Sequence, residues 1–213
     1  MKYMFQDRIE AGLLLARQLR KYKKDPGIVL AVPRGGVPIA YVVAKELGFP
    51  VELILTKKIG HPQNKEYAIG AASLTDYFVT PHEDVPPGYV EAEVQKIRLR
   101  LKEMYGSFMG HKPPKSLEGK TVIIIDDGAA TGNTLLATVH VVRKSKPAKI
   151  VIGLPVASQS AVDKLSQQAD AVVVLLVPPR FYGVGAFYKN FEQVTDEEVM
   201  LYLDKLNGLK KAV

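Results

Sequence analysis

One stretch of the sequence, residues 122–134, constrains the fold of this chain more than any other. It begins with four β-branched residues at 122–125, which predict a strand that is buried on both faces. Two adjacent carboxylates, Asp126 and Asp127, follow where the strand ends, and residues 134–145 then show helical spacing. In a parallel sheet, ligands bind outside the carboxyl ends of the strands. The acid pair is therefore predicted to lie where a ligand binds.

The loop after the acid pair has the composition of a phosphate-binding loop. Small residues and hydroxyls lead into a helix N-terminus, where unpaired backbone N–H groups and the helix dipole favour an anion. A phosphate site beside two carboxylates suits a ligand with one phosphate and several hydroxyls, such as a ribose 5-phosphate. The alternative is an ordinary strand-turn-helix whose acids cap the helix. The predicted phosphate-binding residues are Gly128, Ala129, Ala130, Thr131, Gly132, Asn133 and Thr134.

A second turn of the same kind occurs earlier in the chain. A predicted strand at 28–32 is followed by Pro33, Arg34, Gly35 and Gly36, and then by a helical pattern. Glycines let the backbone approach an anion closely, and a guanidinium presents forked donors to phosphate oxygens. Arg34, Gly35 and Gly36 are therefore predicted to bind a pyrophosphate, with a purely structural glycine turn as the alternative. Lys57 and Lys58 follow the next strand at the same edge and could reach either phosphate.

Strands and helices alternate along the chain, which predicts an α/β fold with a mostly parallel twisted sheet and helices on both faces. We expect one domain over 1–213, with a helical insertion at 76–118 and a C-terminal hood segment with a helix at 178–213. The predicted sheet strands are 28–32, 51–55, 121–125, 149–155 and 171–177, with a hairpin at 68–73 and 77–80. The predicted helices are 5–23, 37–47, 89–108, 134–145, 159–168 and 195–207.

Composition narrows the function classes only slightly. The 213 residues include no cysteine, which excludes disulfides and thiolate metal sites. The formal net charge of +7 suits a polyanionic substrate and would also suit RNA. The longest apolar run near the start, residues 11–16, is too short to span a membrane. No membrane association is expected, and a cytoplasmic location is the default.

Residues 122–134 resemble, without a gap, the phosphoribosyl pyrophosphate (PRPP) signature of the type I phosphoribosyltransferases. The resemblance implies the type I phosphoribosyltransferase fold. It also implies that Asp126 and Asp127 hold the ribose hydroxyls, directly or through Mg²⁺. The turn at 33–36 resembles the pyrophosphate loop of the family, whose backbone is often strained or cis, and we expect this at Arg34 and Gly35. Together with residues 56–70, that turn is also similar to a subgroup of bacterial and archaeal phosphoribosyltransferases with no settled substrate.

The resemblance further implies phosphoribosyl transfer from PRPP to a nitrogenous acceptor, with a nucleobase expected, and release of pyrophosphate. The insertion would act as a lid that donates a basic side chain to the pyrophosphate. The alternative for most of its charges is a solvated helix with i,i+4 charge pairs, formed by Glu91, Glu93, Lys96, Arg98, Arg100 and Lys102. Phe181 and Tyr182 of the hood would stack on the acceptor, unless these aromatic residues only pin the loop to the core. A homodimer is consistent with many relatives. Two alternatives remain: a PRPP-sensing regulator that binds nucleic acid, and PRPP synthesis. The sequence shows neither an RNA-binding signature nor the ATP site that these would require.

Overall fold

The computed structural model describes residues 5–65, 67–82, 84–110 and 113–210, with the backbone alone for 207–210. Its central strands are β1 (Gly27–Ala31), β2 (Val51–Leu53), β6 (Thr121–Ile125), β7 (Lys149–Val156) and β8 (Ala171–Leu176). They form a parallel sheet in the order β2-β1-β6-β7-β8. The helices are α1 (Arg8–Leu19), α2 (Gly36–Leu47), α3 (Tyr89–Met109), α4 (Asn133–Lys144), α5 (Gln159–Ser166) and α6 (Asp196–Lys210). The predicted fold class is confirmed.

The two faces of the sheet carry separate hydrophobic clusters, because successive side chains of a strand point to opposite faces. In β6, Ile123 and Ile125 pack with α1 and α2, whereas Val122 and Ile124 pack with α4 and α5. All four side chains are fully buried, as the run of β-branched residues predicted. Since β6 lies in the middle of the sheet, the acid pair emerges at the centre of its carboxyl edge.

A second, antiparallel sheet contains β3 (Lys57–Gly60), β4 (Ala68–Ala72) and β5 (Tyr77–Val79), in that order. The sequence predicted the β4–β5 hairpin but no strand at 57–60, and this omission was wrong. Two lysines begin this segment, so it lacks an apolar run, and only its pairing with β4 makes it a strand.

The start of α1 also differs from the prediction. The helix begins at Arg8 and not at residue 5, because the Asp7 side chain caps it by accepting a hydrogen bond from the N–H of Glu10 at 2.9 Å. Phe5 instead donates its N–H to the carbonyl of Phe187 at 2.9 Å, which ties this segment to the C-terminal part of the chain. Arg8 is therefore the first residue of α1.

The insertion at 76–118 is mainly α3. A buried stripe on this helix, which contains Val94, Ile97, Leu101 and Tyr105, packs on the core. Buried Glu52 of β2 helps to hold it, because Glu52 accepts a hydrogen bond from the Tyr105 hydroxyl at 2.7 Å and pairs with Lys115 at 3.2 Å. Whether the insertion acts as a lid remains a prediction. Among the described helices, none is long and apolar enough to cross a bilayer.

Candidate active site

The acid pair lies at the end of β6, and its two carboxylates have different surroundings. The backbone N–H of Asp127 donates to Asp126 Oδ1 at 2.9 Å. Asp127 Oδ2 accepts two hydrogen bonds from Arg8, from Nε at 3.0 Å and from Nη2 at 2.9 Å. The Tyr188 hydroxyl donates to the Asp127 carbonyl at 2.7 Å. The acid pair is thus supported by the first turn of α1 and by the C-terminal segment.

Burial controls the electrostatics of the pair. It raises the pKa of Asp126 well above the usual range, and the neighbouring charge of Asp127 raises it further. Burial also raises the pKa of Asp127, while the hydrogen bonds and charge of Arg8 act in the opposite direction. The pKa of Tyr188 is raised as well, chiefly by burial and then by the Asp127 charge, so its hydroxyl remains a hydrogen-bond donor.

Residues 128–134, named the phosphate loop for the role that the sequence predicts, connect the acid pair to α4 and include the first two residues of that helix. Gly132 precedes the helix with φ 71°, a left-handed conformation that favours glycine. Ala129 fixes the base of the loop: its N–H donates to the Val156 carbonyl and its carbonyl accepts from Ser158 N, both at 3.0 Å. The loop is therefore anchored to the end of β7, and its outer residues line a cavity.

The turn at 33–36 lies beside the acid pair. The peptide bond between Pro33 and Arg34 is cis, in agreement with the expected unusual backbone at this turn. Gly35 packs directly on Asp127, and a Cβ atom at Gly36 would approach the carbonyl oxygen of Ile125 to 2.5 Å. Two glycines are therefore needed for this turn to reach the end of β6.

The phosphate loop and the turn at 33–36 line two adjoining cavities. The acid-pair cavity, of about 430 Å³, is lined by the acid pair, the phosphate loop and the turn at 33–36. The arginine cavity, of about 510 Å³, lies between that turn, the start of β3 and one face of α3. The two share the wall residues Val32, Pro33 and Thr134. Their combined size is sufficient for a phosphosugar and a second ligand.

The arginine cavity brings three cationic side chains to its wall: Arg34, Lys57 and Arg100. Arg34 also donates to the Val194 carbonyl at 3.3 Å and pairs with Asp196 at 3.7 Å. Lys58 follows Lys57 in β3 and does not line either cavity, since neighbouring side chains of a strand face opposite sides. Arg100 lies far from the other two cations in sequence, so spacing alone gave no signal for it.

The two aromatic residues predicted to stack on the acceptor, Phe181 and Tyr182, line neither cavity. Phe181 packs against Phe187 with ring centroids 5.5 Å apart, and Tyr182 is 66% exposed. Their contact with an acceptor remains a prediction. The same segment approaches the site elsewhere, because Val184 packs on Gly128 and Tyr188 contacts Asp127.

Comparison with known proteins identifies the family. The chain belongs to the phosphoribosyl transferase domain family, whose model matches residues 7–183. Two Mycobacterium tuberculosis proteins, provisionally named phosphoribosyl transferases, are 35% identical to it over 208 residues, or 95% of this chain. The chain spans about half of their length, 47%. The crystal structure of TT1426 from Thermus thermophilus is 36% identical and superposes with a TM-score of 0.86, covering 95% of this chain and 99% of that one.

The family and fold inferred from residues 122–134 are thus confirmed. The sequence missed Arg8, whose only local signal was its place after the helix cap Asp7. It named Arg100 only as one of the charges of the insertion, since the cavity that this residue lines forms only in three dimensions.

Proposed function

We propose that this chain transfers the phosphoribosyl group of PRPP to a nitrogenous acceptor, with a nucleobase as the expected class, and releases pyrophosphate. One observation carries the proposal: the acid pair, the phosphate loop and the turn at 33–36 surround two cavities that share a wall. A phosphosugar with a pyrophosphate needs these three elements side by side.

Each part of PRPP has a matching part of the site. The backbone N–H groups of 129–134 and the hydroxyls of Thr131 and Thr134 would bind the 5′-phosphate. The acid pair would hold the ribose hydroxyls. Arg34 and Lys57 would face the pyrophosphate with the backbone of Gly35 and Gly36.

The reaction requires stabilisation of two opposite charges. As the bond from C1 to pyrophosphate breaks, the ribose ring becomes electron-poor and the leaving group gains negative charge. The carboxylates beside the ring would stabilise the first charge, and the cations of the arginine cavity would stabilise the second. An acceptor nitrogen would then attack C1 from the face opposite the pyrophosphate.

The donor set fits Mg²⁺ that is held largely by substrate. Within the described residues, no group of three or more metal-ligating side chains forms a complete metal cage. Mg²⁺ commonly uses one or two carboxylates together with water and substrate phosphates, and Asp126 and Asp127 provide such carboxylates. When bound, the ion would neutralise charge on the pyrophosphate.

Titration calorimetry with PRPP, in the presence and absence of Mg²⁺, tests the proposal. We expect Mg²⁺-dependent binding of PRPP, weaker binding of ribose 5-phosphate, and no comparable binding of ATP. Pyrophosphate release is then measured with a panel of purine and pyrimidine bases. Binding of ATP in preference to PRPP, or no binding of PRPP to the folded protein, would contradict the proposed function.

A further inference from the structure

The two carboxylates of the acid pair are not equivalent. Asp127 Oδ2 receives both hydrogen bonds of the Arg8 fork, whereas Asp126 Oδ1 receives one from the backbone N–H of Asp127. Within the described residues, Arg8 is the one cationic side chain that forms an ion pair with either acid. The charge of the pair is therefore offset from one side, at Asp127.

Arg8 is itself held firmly. Its guanidinium lies 3.9 Å from the ring centroid of Phe191, and its Nη1 donates to the Glu192 carbonyl at 2.8 Å. Its side chain is 11% exposed and that of Asp127 is 15% exposed. A forked, largely desolvated arginine–carboxylate pair of this kind is stronger and better oriented than a surface ion pair.

Asp127 is fixed at further points. The Tyr188 hydroxyl donates to its carbonyl, and the backbone of Gly35 packs on its carboxylate. A side chain with so many contacts has little freedom to turn toward a ligand. Asp126, by contrast, lines the same cavity without an arginine partner.

We propose that Arg8 is a positioning residue: it holds Asp127 as an anchor and offsets its charge, so that Asp126 is the carboxylate that meets the ribose hydroxyls. This inference rests on the proposed function. Its physical reason is charge balance. PRPP carries many negative charges, and an uncompensated carboxylate beside it would repel it, whereas the Arg8 guanidinium offsets the charge of Asp127.

A double-mutant cycle tests the inference through Arg8→Gln, Asp127→Asn and the combined variant. Arg20→Gln is the matched control, because Arg20 also forms an ion pair, with Glu46 at 2.8 Å, but is 60% exposed and lies at the opposite end of α1 from Arg8. For each protein, Mg²⁺-dependent PRPP binding is measured by calorimetry and global stability by denaturant unfolding. The unfolding data separate loss of binding from loss of fold.

We expect Arg8→Gln to weaken PRPP binding by about tenfold or more, and Arg20→Gln to leave it unchanged. In the Asp127→Asn background, Arg8→Gln should change binding by less than about threefold, because Arg8 then has no charge to offset. Arg8→Lys retains the charge but not the fork, so it should restore part of the affinity.

Two results overturn the inference: unchanged PRPP binding in Arg8→Gln, or an equal loss with and without the Asp127 carboxylate. If Arg8→Gln does not fold, PRPP binding by Arg8→Lys provides the test. Affinity of Arg8→Lys for PRPP equal to that of the wild-type protein would then overturn the inference. Failure of the proposed function is read separately, because it appears as absent PRPP binding in the wild-type protein.

Discussion

Gly35 lies directly against the carboxylate of Asp127: a Cβ atom at Gly35 would come within 2.0 Å of Asp127 Oδ2. No real Cβ atom occupies such a position, so any side chain there must displace either the turn or the carboxylate. Because Oδ2 is also the atom that Arg8 contacts, the turn at 33–36 and the first turn of α1 meet at one oxygen atom.

Gly35→Ala should therefore weaken PRPP binding by about tenfold or more while the protein still folds. Gly106→Ala is the matched control. Gly106 lies in α3, and a Cβ atom there would meet nothing within 4 Å. Since alanine favours helix over glycine, this control should gain about 0.5–1 kcal/mol of stability and bind PRPP normally. Calorimetry and denaturant unfolding measure the two effects; normal PRPP binding by Gly35→Ala would show that the turn adapts.

Asp126→Asn should abolish PRPP binding and stabilise the protein at neutral pH. Burial raises the pKa of Asp126, so the folded protein binds this proton more tightly than the unfolded chain does. Stability consequently falls as pH rises from the unfolded pKa through the folded pKa, and the ionised carboxylate destabilises the fold above that range. Asparagine removes this penalty and can still accept the hydrogen bond from Asp127 N.

The increase in Tm should be about 2–4 °C near pH 8 and smaller near pH 4.5, where the native carboxyl is increasingly protonated. Thermal unfolding across this pH range provides the measurement. Asp163→Asn, an exposed acid on α5, serves as the control and should change Tm little at either pH. A Tm gain that does not depend on pH would exclude Asp126 ionisation as its cause.

Arg100→Gln should weaken the binding of PRPP more than that of ribose 5-phosphate. Arg100 lines the arginine cavity with Arg34 and Lys57, where the pyrophosphate is proposed to bind, and ribose 5-phosphate lacks that group. We expect a loss of about tenfold for PRPP and a change of less than about twofold for ribose 5-phosphate.

Lys102→Gln removes the same charge from α3 at a position outside the arginine cavity and should affect neither ligand. Calorimetry with both ligands measures the difference. Equal losses for PRPP and ribose 5-phosphate would show that Arg100 attracts any anionic ligand through its long-range charge and does not contact the pyrophosphate.

Tyr105→Phe should destabilise the protein without changing PRPP binding. The hydroxyl of Tyr105 donates to buried Glu52 at 2.7 Å, and burial raises the pKa of this hydroxyl, which keeps it protonated. Its removal leaves a carboxylate oxygen short of one donor, at a cost of about 1–1.5 kcal/mol. Denaturant unfolding measures the change, and Tyr77→Phe, at an exposed tyrosine of β5, should be neutral. Equal stability of the two variants would show that this contact does not hold α3.

Local sequence determined most of the central sheet and the core of the site. β6, the acid pair, the phosphate loop and α4 follow one another within residues 121–144, so one hydrophobic run and the polar residues after it were enough to locate them. The turn at 33–36 was predictable for the same reason. The predictions failed where neighbouring residues in the sequence did not indicate the structure. Residues 57–60 form a strand through pairing with β4, and α1 begins later than predicted because Asp7 caps it.

The amino-acid sequence by itself thus determined which segments form the strands and which polar groups emerge at the carboxyl edge, because those properties depend on residues within a few positions of one another. Only the tertiary structure decided what surrounds those groups. Arg8 contacts Asp127 across 119 positions of sequence, and Arg100 reaches the cavity of Arg34 because α3 packs beside β3. Such contacts depend on how helices pack against the sheet, which the local pattern of residues does not encode.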